Sequence, residues 1–287
     1  MARGLGKETA AWMDIMLPWI AERKPISVRG VAYVAFVNGQ LRSMVKNETD
    51  KVSTRLTIAR ESGVLPWEWI VDPTRPIEQE ANGNDPDDFL DSVIPQYRKD
   101  YWRSQPERLL VISEKATVAG IVAPVLEQYG VGFTIMHGFG SATAVKGLAK
   151  LSASDSRPLT LIYIGDHDPS GAYMSEVDLP ERLARYDGAS ELVRVAVLPA
   201  HLAAYGLPTF PVASKQGDSR HNWFVRTHGR VCAELDAMDP RILRGLLERE
   251  IAWRIDGEAW DLAVSTEVAE EVSLRDVLTA WRDLKSG

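Results

Sequence analysis

The chain has 287 residues, 45% hydrophobic and 25% charged, the composition of a folded globular protein and not of a disordered one. Charged residues interrupt every apolar stretch well short of the roughly 18–20 residues that a membrane span needs. The single cysteine, Cys232, excludes an internal disulfide, and residues 1–12 lack the continuous apolar core of a secretory signal. A reducing, cytoplasmic setting is therefore expected.

The formal net charge of −7 argues against a histone-like coat on DNA but leaves room for a local basic patch. Residues 23–60 carry eight Lys or Arg against two acids, so this segment is +6 and the remainder −13. Between 72 and 91 the balance reverses: Asp72, Glu78, Glu80, Asp85, Asp87, Asp88 and Asp91 face only Arg75. With Pro73, Pro76, Gly83 and Pro86 this stretch reads as a solvated linker. The expected units are 1–95, ending in that linker, a central unit 96–215, and a helical extension 216–287 packed on it.

In chain order, residues 7–22 place Trp12, Ile15, Met16, Trp19 and Ile20 at helical spacing. Ser27 is a good N-cap for a second helix over 28–37, stopped by Asn38-Gly39. Its apolar stripe is Val28, Val31, Ala32, Ala35 and Phe36, with Arg29 and Tyr33 one turn apart at the edge. Asp50 is expected to cap a third helix running to Ser62, where Val52, Leu56 and Ala59 share one side and Lys51 and Arg55 another. Gly63 ends it, and residues 64–71 read as a turn and a strand closing a short hairpin. Helices, a basic final helix and a following strand suit a winged helix-turn-helix that binds DNA through Arg29, Lys51, Arg55 and Arg60. A small helical dimerisation domain with solvated basic residues has the same pattern.

The central unit alternates strands at 108–113, 132–136, 158–164 and 192–198 with helical segments, which argues for right-handed βαβ units in a parallel sheet. Ligands in such sheets gather beyond the carboxyl ends of the strands. Glu114 and the Asp166/Asp168 pair lie at such ends, and i, i+2 spacing in extended backbone points both aspartates the same way. Carboxylates converging on one edge repel unless a hard cation or a proton sits among them, and Mg²⁺, with Mn²⁺ as a substitute, suits oxygen ligands. Such a metal polarises a phosphodiester. Helix capping by Asp166 and Asp168, and a surface cap at Glu114, are the structural alternatives. The Gly138-Phe-Gly140 loop could offer backbone N–H groups to a phosphate. His167 would point away from the acids and is not expected to be a ligand.

Ile112-Ser-Glu114-Lys115 after one strand, followed by Asp166-His-Asp168-Pro-Ser-Gly171 after a later one, resembles the Toprim fold of topoisomerases, primases and some nucleases. The versions here are most similar to the topoisomerase VI A subunit and the related protein that starts meiotic recombination, in which a winged helix precedes the Toprim domain. Arg29-Gly-Val-Ala-Tyr33 matches the family's Arg four residues before a catalytic tyrosine, and Glu234-Leu-Asp-Ala237 resembles an acidic segment that follows its Toprim core. The resemblance covers residues 20–245. It implies an α/β protein with an N-terminal winged helix-turn-helix and a Toprim-like parallel α/β domain. It further implies DNA cleavage by Tyr33 as nucleophile, assisted by Arg29, with Mg²⁺ at Glu114, Asp166 and Asp168. The tyrosine of one protomer would meet the metal site of the other, so a homodimer is implied, and a separate ATPase subunit would be needed for strand passage.

Two further readings remain open: a Toprim nuclease that uses water, with Tyr33 structural, and a DNA-binding regulator with a silent Toprim fold. Tyr97 and Tyr101 are expected on one packed helical face. Lys215, Arg220, His221 and Arg226 could line the mouth of the acidic site, residues 241–253 form an amphipathic helix, and Cys232 is expected as a small buried hydrophobe.

Overall fold

The computed structural model describes residues 6–71, 85–136 and 141–286. In the N-terminal unit α1 (Lys7–Arg23) buries Trp12, Met13, Met16 and Ile20 on one face. Strand β1 (Ile26–Ser27) leads into α2 (Val28–Val37), where the Ser27 hydroxyl accepts the Gly30 N–H at 3.0 Å. Helix α3 (Lys46–Glu61) buries Val52, Leu56 and Ala59 against them. It starts earlier than expected: nothing in Lys46-Asn-Glu-Thr49 breaks a helix, so Asp50 lies inside it and is not its cap.

The strand after this helix also differs from expectation. β2 (Ile70–Val71) pairs in parallel with β1, Ile26 opposite Ile70, so it does not close a hairpin. Ile26 and Ile70 enter the same core, and Val71 is taken up by the helix beneath it. A Cβ on Gly120 of that helix would lie 2.8 Å from the Val71 Cβ. Much of the expected linker, 72–84, lies outside the described residues. The rest forms helix α4 (Pro86–Val93), which buries none of its residues, because Asp85 is itself a cap: its Oδ1 accepts the N–H groups of Asp87 and Asp88, both at 2.9 Å.

The larger unit is mixed α/β, built on four parallel strands: β3 (Arg108–Ser113), β4 (Gly132–Ile135), β5 (Leu159–Ile164) and β6 (Ser190–Ala196). Their order is β4-β3-β5-β6. Helices α5 (Ala119–Tyr129), α6 (Ala142–Ala153), α7 (Pro169–Tyr173) and α8 (Leu179–Arg185) make the crossovers, α7 running into α8 through a π-helical turn, Met174–Asp178. All six residues of β5 are buried, as a strand covered on both faces requires. Leu159, Leu161 and Tyr163 face α6 and α8, while Ile162 and Ile164 face α5.

Beyond the sheet come α9 (Pro199–Ala204), the antiparallel pair β7 (Phe210–Pro211) and β8 (Val231–Cys232), and between them α10 (His221–His228). Helix α11 (Pro240–Trp253) puts Leu243, Leu247 and Ile251 into the cluster that holds α5. The last helix, α12 (Gly257–Ser286), lies along residues 97–104. Tyr97 and Tyr101 are not on one helical face: only Tyr101–Ser104 forms a 3₁₀ turn. Their hydroxyls instead reach α12, Tyr101 donating to Glu267 Oε1 at 2.7 Å and Tyr97 donating to Glu270.

Ile162 is fully buried at the centre of the sheet. Ile162→Ala is expected to lower the unfolding free energy by about 2–5 kcal/mol in urea titration. A loss under about 1 kcal/mol would contradict this placement of β5.

Candidate functional site

The carboxyl ends of β3 and β5 are adjacent, and the chain beyond them gathers the acidic residues. Glu114 and Lys115 follow β3 directly, and Lys115 N–H is held by the Ser113 hydroxyl at 3.1 Å. Asp166 and Asp168 follow β5, and Asp168 Oδ1 caps α7 by accepting the Gly171 N–H at 2.8 Å. Capping therefore occupies one oxygen of Asp168. Gly171 is needed for the close approach of α7: a Cβ there would lie 2.4 Å from the Asp166 carbonyl oxygen and 2.8 Å from Glu114 Oε1. Behind the turn Arg194 on β6 donates to the carbonyls of Gly171 at 2.8 Å, Gly165 at 3.3 Å, Val197 at 3.2 Å and Asp166.

A second acidic segment arrives from far along the chain. The backbones of His167 and Ala233 exchange two hydrogen bonds, at 2.9 and 3.0 Å, which lays residues 233–236 beside the end of β5. Leu235 N–H then donates to Asp166 Oδ1 at 2.7 Å, and Glu234 and Asp236 project to the same place. The His167 side chain is buried, and burial with the charge of Arg194 and His228 holds its pKa down to about 4. It is neutral, and its ring packs 5.1 Å from that of Phe224.

Lys115 is the centre of this cluster. Its Nζ lies 2.8 Å from Asp166 Oδ1, 2.9 Å from Asp236 Oδ2 and 3.7 Å from Glu234 Oε2. Burial alone would lower the lysine's pKa, but Asp166 and Asp236 outweigh it and hold the ammonium charged. Asp168 Oδ2 meets a different cation, Lys215 Nζ, at 3.1 Å, so Lys215 does reach the mouth of the site. Arg220 instead pairs with Asp218 at 2.6 Å. Glu114 accepts the Asp166 N–H at 3.4 Å, and burial, then Asp166 and Asp168, push its carboxyl up to about 7. Among the described residues no group of three or more His, Cys, Asp or Glu is arranged to hold a metal. Asp166 is occupied by Lys115 and Leu235, and Asp168 by Gly171 and Lys215.

Helix α2 brings Arg29 and Tyr33 to the same cluster. Arg29 grips Glu234 with both arms, Nε to Oε2 at 2.7 Å and Nη2 to Oε1 at 2.6 Å, and lies 3.8 Å from Asp236. The Arg29 guanidinium also sits 5.7 Å from the Tyr33 ring centroid. Arg29 and Lys115 pull the phenol's pKa down, yet burial and Glu234 prevail and push it up to about 12. Tyr33 is 7% exposed and lines a cavity of about 200 Å³ with Tyr205, Leu207 and Met238.

The other basic residues expected to meet DNA are partly engaged within the N-terminal unit. Lys51 pairs with Glu48, Arg55 pairs with Glu8 and lies 5.4 Å from the Trp12 ring, and Arg60 stacks 4.8 Å from Trp67. The Gly138–Gly140 loop lies outside the described residues. Cys232 is fully buried among Ala172, Val212 and Phe224, as a small hydrophobe.

Sequence reasoning placed the three carboxylates at neighbouring strand ends and singled out Glu234-Leu-Asp-Ala237 through the family resemblance, without assigning its acids a partner, and it gave no role to Lys115 or Arg194. Glu234-Leu-Asp236 repeats the i, i+2 carboxylate spacing of Asp166-His-Asp168, and that was the available signal. No protein-family model matches the chain, and a search of curated proteins finds no match.

The Glu114 carboxyl keeps its proton up to about pH 7 in the folded chain, against 4.5 for an ordinary glutamate. Between these values the folded state binds the extra proton, so stability falls as pH rises and the penalty is complete above pH 7. Glu114→Gln is neutral throughout. It is expected to be more stable than wild type at pH 8, by up to about 3 kcal/mol, and to lose that advantage below pH 4.5. Chemical denaturation at both pH values checks this, and equal stability at pH 8 would sink the assignment.

Proposed function

We propose that the protein binds DNA and cleaves it in a Mg²⁺-dependent reaction similar to that of the topoisomerase VI A subunit, with Tyr33 as nucleophile. The observation that supports the reading is the gathering of Glu114, Asp166 and Asp168 at the adjacent ends of β3 and β5, the acidic edge that Tyr33 of a second copy would meet. A cation suits the site chemically: Glu114 is a buried carboxylate whose charge is opposed by Asp166 and Asp168. Glu114, Asp166 and Asp168 would hold Mg²⁺ in exchange for the ammonium groups of Lys115 and Lys215. Bound there, the ion would polarise a phosphodiester and stabilise charge on the leaving oxygen.

The chain's own residues supply the remaining steps. Arg29, exchanging Glu234 for a DNA phosphate, holds that phosphate by its bidentate fork. The Tyr33 oxygen bonds to phosphorus as the bond to the leaving sugar oxygen breaks, the phenol losing its proton and the leaving oxygen gaining one. With its pKa at about 12, Tyr33 starts as the neutral phenol and must surrender that proton during attack. The partners of this reading are DNA, a second copy of the chain whose metal site would meet Tyr33, and a separate ATPase subunit for strand passage. The basic N-terminal unit would dock the DNA in the manner of a winged helix.

A second reading has its own support. The burial of Tyr33 and its raised pKa suit a packed aromatic, which leaves a metal-dependent nuclease that uses water.

Supercoiled-plasmid cleavage with Mg²⁺ or Mn²⁺, quenched in denaturant and analysed with and without protease, separates the readings. Broken DNA carrying protein, abolished by both Tyr33→Phe and Asp166→Ala, is the expected result. Protein-free breaks lost only with Asp166→Ala would establish the water mechanism, and binding without cleavage a silent module.

DNA affinity is expected to fall with salt through counterion release from the N-terminal face. Reversing Lys51 and Arg55 to Glu is expected to flatten the slope of log K against log salt by about 1 per lost phosphate contact. An unchanged slope would remove the N-terminal unit from the interface.

A further inference from the structure

Among the described residues helix α12 is held to the body along one side. Ala263, Glu267 and Leu278 are buried there, and Glu267 accepts the Lys99 N–H and the Tyr101 hydroxyl, each at 2.7 Å. A different side leaves Val264 37%, Val268 60% and Val272 53% exposed. At about 100° per residue these three valines fall within roughly 80° of one another. Asp261, Arg275 and Thr279 fall on the same side, and all three are exposed.

The spacing along this stripe runs 261, 264, 268, 272, 275, 279, with steps of three, four, four, three and four residues. An 11-residue repeat results, in which 272, 275 and 279 follow 261, 264 and 268. Eleven residues bring a straight α-helix back to within about 20° of its starting direction. The stripe therefore stays on one line for its length of about 27 Å. From Asp261 to Arg275 the pattern is also symmetric about Val268. Turned end for end, it places Val264 against Val272, Val268 against itself, and Asp261 against Arg275.

We propose that α12 is a self-association surface on which a second copy of this chain docks antiparallel, with the two Val268 side chains on the twofold axis. The orientation is set by charge. Antiparallel pairing puts Asp261 of each copy opposite Arg275 of the other, whereas parallel in-register pairing sets Asp261 against Asp261 and Arg275 against Arg275. Among the described residues Arg275 has one long contact, with Glu271 at 3.8 Å, which leaves its guanidinium able to turn towards the second copy. The stripe is isologous, as a twofold dimer requires. The inference stands on α12 alone and does not depend on DNA cleavage. Dimerisation was an implication of the family resemblance, but this surface, direction and register were not.

Single-cysteine variants read the geometry, because a disulfide captures even weak pairing when the Cβ atoms approach to about 4 Å. Cys232 is buried and does not compete. Under mild oxidation Val268→Cys is expected to cross-link to itself. Val264→Cys and Val272→Cys are each expected to remain monomeric alone and to cross-link when mixed. Asp261→Arg is expected to lower the Val268→Cys cross-linking by about fivefold, on the scale of two exposed ion pairs, and adding Arg275→Asp is expected to restore it. Far-ultraviolet circular dichroism confirms that each variant folds. No cross-link from a folded Val268→Cys variant, self-linking of Val264→Cys, or failure of the double charge swap to restore the yield would each overturn the proposal. None of these outcomes depends on DNA, so failure here and failure of the cleavage reading are distinguishable.

Discussion

The ammonium of Lys115 is the point at which three distant parts of the chain are joined. It comes from the end of β3, and it meets Asp166 from the end of β5 and Asp236 from the segment after β8. Glu234, beside Asp236, passes the connection on to Arg29 and so to helix α2. A buried ion pair adds little net stability over apolar packing, yet removing one member leaves the others uncompensated at a cost of about 3–5 kcal/mol. The lysine thus orients the acids that Arg29 grips more than it adds to the total free energy, and Arg23 with Asp239 and Val71 at Gly120 hold the N-terminal unit beside them. That free energy comes from the two faces of β5 and from the separate cluster of α1, α2 and α3.

Two kinds of cation answer the acids at this edge, and each is tied to the backbone differently. Lys115 and Lys215 each bring a single ammonium group on a long stem to the carboxylates. Arg194 is a scaffold: its guanidinium is spent on the carbonyl groups of the turn after β5 and so keeps that turn in shape. Glu114 stands apart from both, its carboxyl raised by burial and by its acidic neighbours. The edge therefore combines a rigid turn with an acid whose protonation changes near neutrality, while Tyr33 stays neutral on the adjoining helix.

Much of the architecture was legible where the signal is local. Ser27 capping α2, Gly63 beyond α3, and the runs Arg108–Ser113 and Leu159–Ile164 carry their own pattern of caps and apolar residues. Glu114, Asp166 and Asp168 could be placed because strand ends and their neighbours follow from βαβ alternation. What could not be read were contacts between parts far apart in sequence. The parallel pairing of Ile26 with Ile70 depends on α5 accepting Val71 at Gly120. The partners of Lys115 and Arg29 depend on a backbone bridge between His167 and Ala233. Acidic composition between 72 and 91 suggested solvation, and the same residues, Asp85 and Pro86, are also a strong helix start.

The sequence separations in this site carry a consequence for how the chain is made. Arg29 and Glu234 are 205 residues apart, and Lys115 and Asp236 are 121 apart. A chain growing from its N-terminus can form the cluster of α1, α2 and α3 early, because those contacts are local and close quickly. It cannot complete the acidic edge until residues 233–236 have been added. During that interval Arg29 lacks both of its carboxylate partners and Lys115 retains only Asp166. The growing chain thus passes through a stage in which this edge is more positively charged, and the arrival of residues 233–236 neutralises it.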